Sequence, residues 1–109
     1  MHELSITQSV VDTVTERTDG AQVAAVHLRI GKLSGVVPDA VRFAFELIVD
    51  GTPLQGARLE IDEPAGRASC RGCGQDFGLS DLILLCPCGS ADVSISDGQQ
   101  LAVTSVEVA

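Results

Sequence analysis

Two groups of residues in this chain have the types and spacing to hold metal ions. Cys70-Arg71-Gly72-Cys73-Gly74 puts two thiols three positions apart, and Cys86-Pro87-Cys88-Gly89 supplies a second pair after residues 74–85. Four soft thiolates suit tetrahedral Zn(II), with Fe(II) the main rival. The neighbouring glycines let backbone N–H groups approach the sulfurs. A closed four-sulfur shell leaves no position for a substrate, so the role expected of Cys70, Cys73, Cys86 and Cys88 is structural. Only one residue separates Cys86 from Cys88, a tight pair from which a strained bite is expected. Four free or redox-active thiols, the signature of a thiol oxidoreductase, are the competing reading.

The second group opens the sequence as Met1-His2-Glu3. A free amine on Met1, the peptide nitrogen of His2 and its imidazole form fused chelate rings. Such nitrogen donors suit square-planar Ni(II) or Cu(II), and Glu3 stands next to them as a further donor. Acid opposes this chelate by protonating the imidazole. The plainer alternative is a solvated His2 and a Glu3 that favours the dipole of a first helical turn. His27 falls on the polar side of a strand pattern and is expected as a surface residue. Asp39 follows Pro38 and is expected to serve the helix dipole, with metal contact the lesser reading.

The elements that position these groups follow from periodicity. Residues 3–17 have a helical stripe of Leu4, Val11 and Val14, with Ile6 and Val10 beside it. Asp19-Gly20 has turn chemistry. Residues 23–30 alternate, with Val26, Leu28 and Ile30 on one face and His27 and Arg29 on the other, which predicts a half-buried strand. Pro38 suits the first position of a second helix carrying Val41, Ala44, Phe45 and Ile48, closed by Gly51. Residues 58–62 alternate again, and the strand at about 100–108 changes phase between Val103 and Val106, which predicts a bulge or bend.

The order helix, strand, helix, strand, strand predicts an α+β fold: two helices on a small, mainly antiparallel sheet in two layers, interrupted by a zinc-ribbon-like module. Residues 1–66 are expected to form the first part of the main domain, residues 67–97 the metal module, and residues 98–109 the strand that completes the domain.

Bulk properties narrow the function. With 109 residues there is room for one small domain and its insertion, whose modest core a metal cross-link would supplement. Aromatics make up only 3%, so the core must be aliphatic. A net charge of -8 disfavours nucleic-acid binding, which draws on a basic face, and fits a protein that handles cations or basic partners. No signal-peptide pattern opens the sequence and no run approaches the roughly 20 apolar residues of a membrane span, so a cytoplasmic protein is expected. In that reducing compartment, closely paired cysteines favour metal over disulfides.

Combined, the motifs say more than either metal group alone. Met1-His2-Glu3-Leu4-Ser5, the segment Leu28-Arg29-Ile30-Gly31-Lys32-Leu33-Ser34-Gly35, the segment Pro38-Asp39-Ala40-Val41-Arg42-Phe43-Ala44-Phe45-Glu46 and the two cysteine pairs occur in order along the chain. In this the sequence resembles the HypA/HybF family of hydrogenase nickel-incorporation proteins over essentially its whole length. The resemblance implies a nickel metallochaperone, not an enzyme, that carries Ni(II) for nickel–iron hydrogenase and in some cases urease maturation. It implies nickel ligation by His2 and Glu3 with the Met1 amine, and zinc ligation by Cys70, Cys73, Cys86 and Cys88. The implied partners are the nickel-handling GTPase HypB, the hydrogenase large subunit and urease maturation proteins. Two departures stand out: the family's second pair reads Cys-Pro-x-Cys, and no histidine follows His27 here. The alternative from another class is a zinc-ribbon interaction module without nickel delivery.

Overall fold

The computed structural model describes residues 2–109, so Met1 lies outside the described residues. The elements are α1 (His2–Arg17), β1 (Val23–Ile30), α2 (Pro38–Ile48), β2 (Arg58–Asp62), β3 (Gly66–Cys70), β4 (Asp76–Leu79), β5 (Val93–Asp97) and β6 (Leu101–Val108). Two three-stranded sheets result, ordered β2-β1-β6 and β4-β3-β5. This is the expected α+β class.

In α1 the buried residues are Thr7, Val10, Val11 and Val14, the i, i+3, i+4, i+7 stripe of a helix with one covered face. Leu4, expected on that stripe, is instead exposed, and burial starts one turn later at Thr7. A threonine can be buried there because its hydroxyl donates to the Glu3 carbonyl at 2.6 Å, leaving no unpaired polar group. α1 packs against α2. Its Thr13, Val14 and Arg17 also line a groove with Val103 and Val106 of β6.

Pro38 occupies the start of α2 as expected. The helix ends at Ile48 with Val49 as its cap, whose N–H donates to the Phe45 carbonyl. Gly51, expected as the closing residue, comes two positions after that cap and takes the positive φ of 76° in the turn that follows.

β1 and β6 are antiparallel: Ala109 N–H donates to the Gln22 carbonyl and Gly31 N–H to the Gln100 carbonyl, so one strand runs up as the other runs down. β1 reaches β2 through α2, and the bonds Val23 to Pro53 and Lys32 to Pro64 advance together along both segments. That is the arrangement of a crossover connection with parallel strands. In the second sheet β3 pairs antiparallel with both β4 and β5. Val103 and Val106 are the half-buried positions of β6, an odd spacing that keeps the phase change seen in the sequence.

Two compact units are present. One comprises the chain up to Leu28 with Val36–Ile61 and Ala102–Ala109; the other comprises Arg29–Gly35 and Asp62–Leu101. In the second unit three glycines allow backbones to meet. A Cβ on Gly31 would collide with the Gly98 carbonyl oxygen, and one on Gly98 would lie 2.5 Å from the Gly66 Cα. Neither obstacle is a flexible side-chain tip, so Gly31→Ala must displace the chain itself. We expect it to destabilise the protein by about 3 kcal/mol and lower the melting midpoint by roughly 10 °C or more. Thermal unfolding followed by circular dichroism checks this; a wild-type midpoint would contradict the close approach.

Candidate metal centres

The four cysteine sulfurs converge, all lying within 4.8 Å of one another. Across the cluster Cys70 Sγ is 3.8 Å from Cys88 Sγ, and Cys73 Sγ is 3.6 Å from Cys86 Sγ. A zinc–sulfur bond of about 2.3 Å gives a tetrahedron with edges of about 3.8 Å, so these separations suit that ion. All four thiols are free, with no disulfide among them.

The two cysteine pairs are folded alike despite their different lengths. Cys73 N–H approaches Cys70 Sγ at 3.4 Å, and Cys88 N–H approaches Cys86 Sγ at 3.4 Å. After the first pair Gly74 N–H donates to the Cys70 carbonyl and Cys70 N–H to Gln75; after the second, Gly89 N–H donates to the Cys86 carbonyl and Cys86 N–H to Ser90. Gly74 and Gly89 both have positive φ, 77° and 94°, which closes each loop. The shorter second pair therefore makes the same turn one residue sooner, with its N–H···S contact intact. Arg71 ties the first loop to the segment before β5, its guanidinium donating to Asp92 at 2.8 Å.

The electrostatics of the cluster call for a cation. The Cys73 N–H hydrogen bond holds the Cys70 thiol down to about 6, while burial pushes Cys86 up to about 12. One thiolate forms readily, but further negative charge in the same crowded pocket is opposed. A divalent ion reverses that opposition and deprotonates its thiol ligands. The residues present fit a bound zinc.

At the other candidate site, His2 and Glu3 occupy the first turn of α1. His2 Nδ1 lies 3.9 Å from Glu3 Oε2. That carboxylate oxygen also accepts the Val37 N–H at 3.3 Å. Val37 is the N-cap of α2 and has no side-chain cap of its own, so Glu3 satisfies a donor that the helix start leaves orphaned. Its own backbone N–H first, and the Val37 N–H second, hold the Glu3 carboxyl below the ordinary carboxylate range. It is thus an anion available beside the imidazole.

Among the described residues the four cysteines are the only group of three or more His, Cys, Asp or Glu drawn together tightly enough for one metal. Asp39 is not gathered with His2 and Glu3 into such a group. Met1, the remaining expected nickel donor, lies outside the described residues. His27 is engaged elsewhere: its Nε2 is 2.7 Å from Glu107, which Arg58 also contacts at 3.3 Å. The Val37 contact was missed from the sequence. The signal for it was an apolar residue directly before Pro38, a helix start with no side chain able to cap it.

The fold and the clustered thiols together define a small α+β protein with a four-cysteine, ribbon-like metal module. A family model described as HypA, hydrogenase/urease nickel incorporation metallochaperone, matches residues 1–108. Curated relatives called hydrogenase maturation factor HypA include those of Geotalea uraniireducens, 48% identical over 109 residues, and Nostoc punctiforme, 44% identical over 108 residues. The first comparison covers 99% of both chains, the second 99% of this chain and 96% of the relative. The fold is similar to a solution structure of the Ni metallochaperone HypA from Helicobacter pylori, with a TM-score of 0.65 at 24% identity, covering 97% of this chain and 96% of that one. The chain belongs to the HypA family of nickel-incorporation metallochaperones.

Proposed function

We propose that this chain binds Ni(II) through the Met1 amine, the His2 peptide nitrogen and imidazole, and Glu3, and delivers it for nickel–iron hydrogenase maturation. In the same reading Cys70, Cys73, Cys86 and Cys88 hold a structural Zn(II) in a module at residues 67–97, set within a nickel-binding domain formed by residues 1–66 and 98–109. The observation that carries the proposal is the match to a nickel-incorporation family over residues 1–108, in a sequence beginning Met1-His2-Glu3.

The first turn of α1 suits the task physically. The leading N–H groups of a helix have no intrahelical acceptor, so nickel can displace the His2 amide proton without breaking a helical bond. The positive end of the helix dipole disfavours a cation, and the Glu3 carboxylate together with the deprotonated amide offsets this. Planar nitrogen ligation selects Ni(II) against zinc, which prefers a tetrahedron, and leaves cysteines to zinc. Exchange of these few terminal donors is a route for release to the next protein. The zinc shell, closed by four sulfurs, shapes the chain and takes no part in transfer.

In this role the chain is a carrier, not an enzyme, working in the cytoplasm with the GTPase HypB and the hydrogenase large subunit, and in some settings with urease maturation proteins. No helix among the described residues is long and apolar enough to cross a membrane. The test is transfer: the nickel-loaded chain, mixed with nickel-free hydrogenase large-subunit precursor and the GTPase with GTP, should pass its nickel to the precursor. Retention of nickel by the chain, or equal transfer from a His2→Ala variant, would overturn the proposal.

A further inference from the structure

The outward side of α2 combines exposed apolar groups with unpaired acids. Val41, Ala44 and Phe45 bury the helix's inner face. Asp39, Phe43 and Glu46 follow at helical spacing on the opposite side, with Asp50 continuing the line just past the helix end. Phe43 is 67% exposed, the most exposed of the large apolar residues among those described, and Leu47 beside it is 62% exposed. The contrast is informative, because the chain has only three phenylalanines and the other two, Phe45 and Phe77, are buried. Next to this ridge a groove of ≈ 490 Å³ is lined by Phe45, Leu47, Val49 and Ala57, with Glu46 and Asp50 on its wall.

Charge adds to the character of this face. Asp39, Glu46 and Asp50 carry no arginine partner, as is true of most acids among the described residues; Glu60, Asp62, Asp92 and Glu107 are the ones that pair with an arginine. The one cation of α2, Arg42, is turned away to donate to the Leu59 carbonyl at 2.9 Å. An exposed aromatic beside an apolar groove, flanked by free carboxylates, is complementary to a segment that is apolar on one side and basic around it.

We propose that the outer face of α2, centred on Phe43 and Leu47, docks an amphipathic cationic segment of a partner protein. An apolar side chain of the partner enters the groove, and its Lys or Arg residues face Asp39, Glu46 and Asp50. A second copy of this chain fits poorly, since a two-fold contact would set the same carboxylates against each other. A membrane fits poorly as well, because acids on an acidic protein are repelled by anionic headgroups. This surface, formed by α2 and the turn that follows it, does not depend on nickel binding.

The test uses the zinc-loaded full chain, isotopically labelled for NMR, and helical peptides of leucine and lysine with all leucines on one face. Binding should saturate and shift amides within residues 39–57. Phe43→Ser should weaken it about tenfold, and the double variant Glu46→Lys with Asp50→Lys should switch preference to the matching leucine–glutamate peptide. Shifts scattered over the acidic surface, equal affinity for a serine–lysine peptide, undiminished binding by Phe43→Ser, no binding at all, or co-sedimentation with phosphatidylcholine–phosphatidylglycerol vesicles would each overturn the proposal.

Discussion

Replacing Cys86 with serine is expected to empty the zinc site and to unfold the ribbon around it. The reason lies in how little else holds that region together. Its buried cluster consists of Ala68, Cys70, Phe77 and Cys86, with Leu79 and Val93 partly buried against it. Two of the four buried residues are themselves proposed zinc ligands, so without the ion the core reduces to one alanine and one phenylalanine. Such a core is too small to offset the chain entropy of β3, β4 and β5, each five residues or fewer. For structural zinc the binding free energy is folding free energy, on the order of 10 kcal/mol. Cys86 is buried, and a serine hydroxyl there is a poor substitute for a thiolate as a zinc ligand. Zinc content measured together with amide dispersion for residues 66–97 decides the matter. Stoichiometric zinc in Cys86→Ser, or an ordered ribbon in fully chelated protein, would contradict a metal-built module.

The second large effect concerns nickel. Acetylating the Met1 amine, or replacing His2 with alanine, is expected to abolish the absorption of planar Ni(II) while zinc stays in place. Each change removes a donor from a chelate that has few to spare, because His2 and Glu3 recruit no third ligand among the described residues. Loss of an outer contact alone commonly weakens a metal by 10–100-fold, so loss of a direct nitrogen donor should cost at least about a hundredfold. Glu3→Gln should act differently. An amide oxygen can still accept the Val37 N–H but brings no charge, so α2 should start as before while nickel binding weakens. Titration monitored by absorbance and circular dichroism checks all three variants. Unchanged nickel binding after acetylation would remove the amine from the account.

Much of this was legible before the structure, for identifiable reasons. β2 at Arg58–Asp62 matches the alternation in the sequence, and β1 at Val23–Ile30 matches it from Val26 onward; earlier in β1, Val23 and Ala25 are buried although they share the phase of His27 and Arg29, and Ala24 is exposed. Pro38 marked the start of α2 through a purely local preference. The cysteine pairs announced a shared site because chelation imposes short spacings. Less accessible were features decided by distant neighbours. Leu4 had the right spacing for the core, but the covered part of α1 begins at Thr7, whose hydroxyl finds a partner within its own helix. β3, β4 and β5 are each five residues or fewer, so they give little periodicity to detect. The bonds from His27 to Glu107 and from Val37 to Glu3 join residues 80 and 34 positions apart, which no local pattern encodes. The short spacing of Cys86 and Cys88 is met by Gly89 and Ser90, which close that loop one residue early, a local detail that the spacing alone does not reveal.

The proposed function divides the work between two metals, one among sulfurs and one at the first residues. X-ray absorption at the zinc and nickel edges, with elemental analysis on correctly processed protein retaining an unmodified Met1, probes both at once. One zinc surrounded by four sulfurs and one nickel in a planar shell of nitrogen and oxygen alone are expected. Nickel seated on cysteine sulfur, nickel displacing zinc, or no nickel uptake at all would contradict the proposed function.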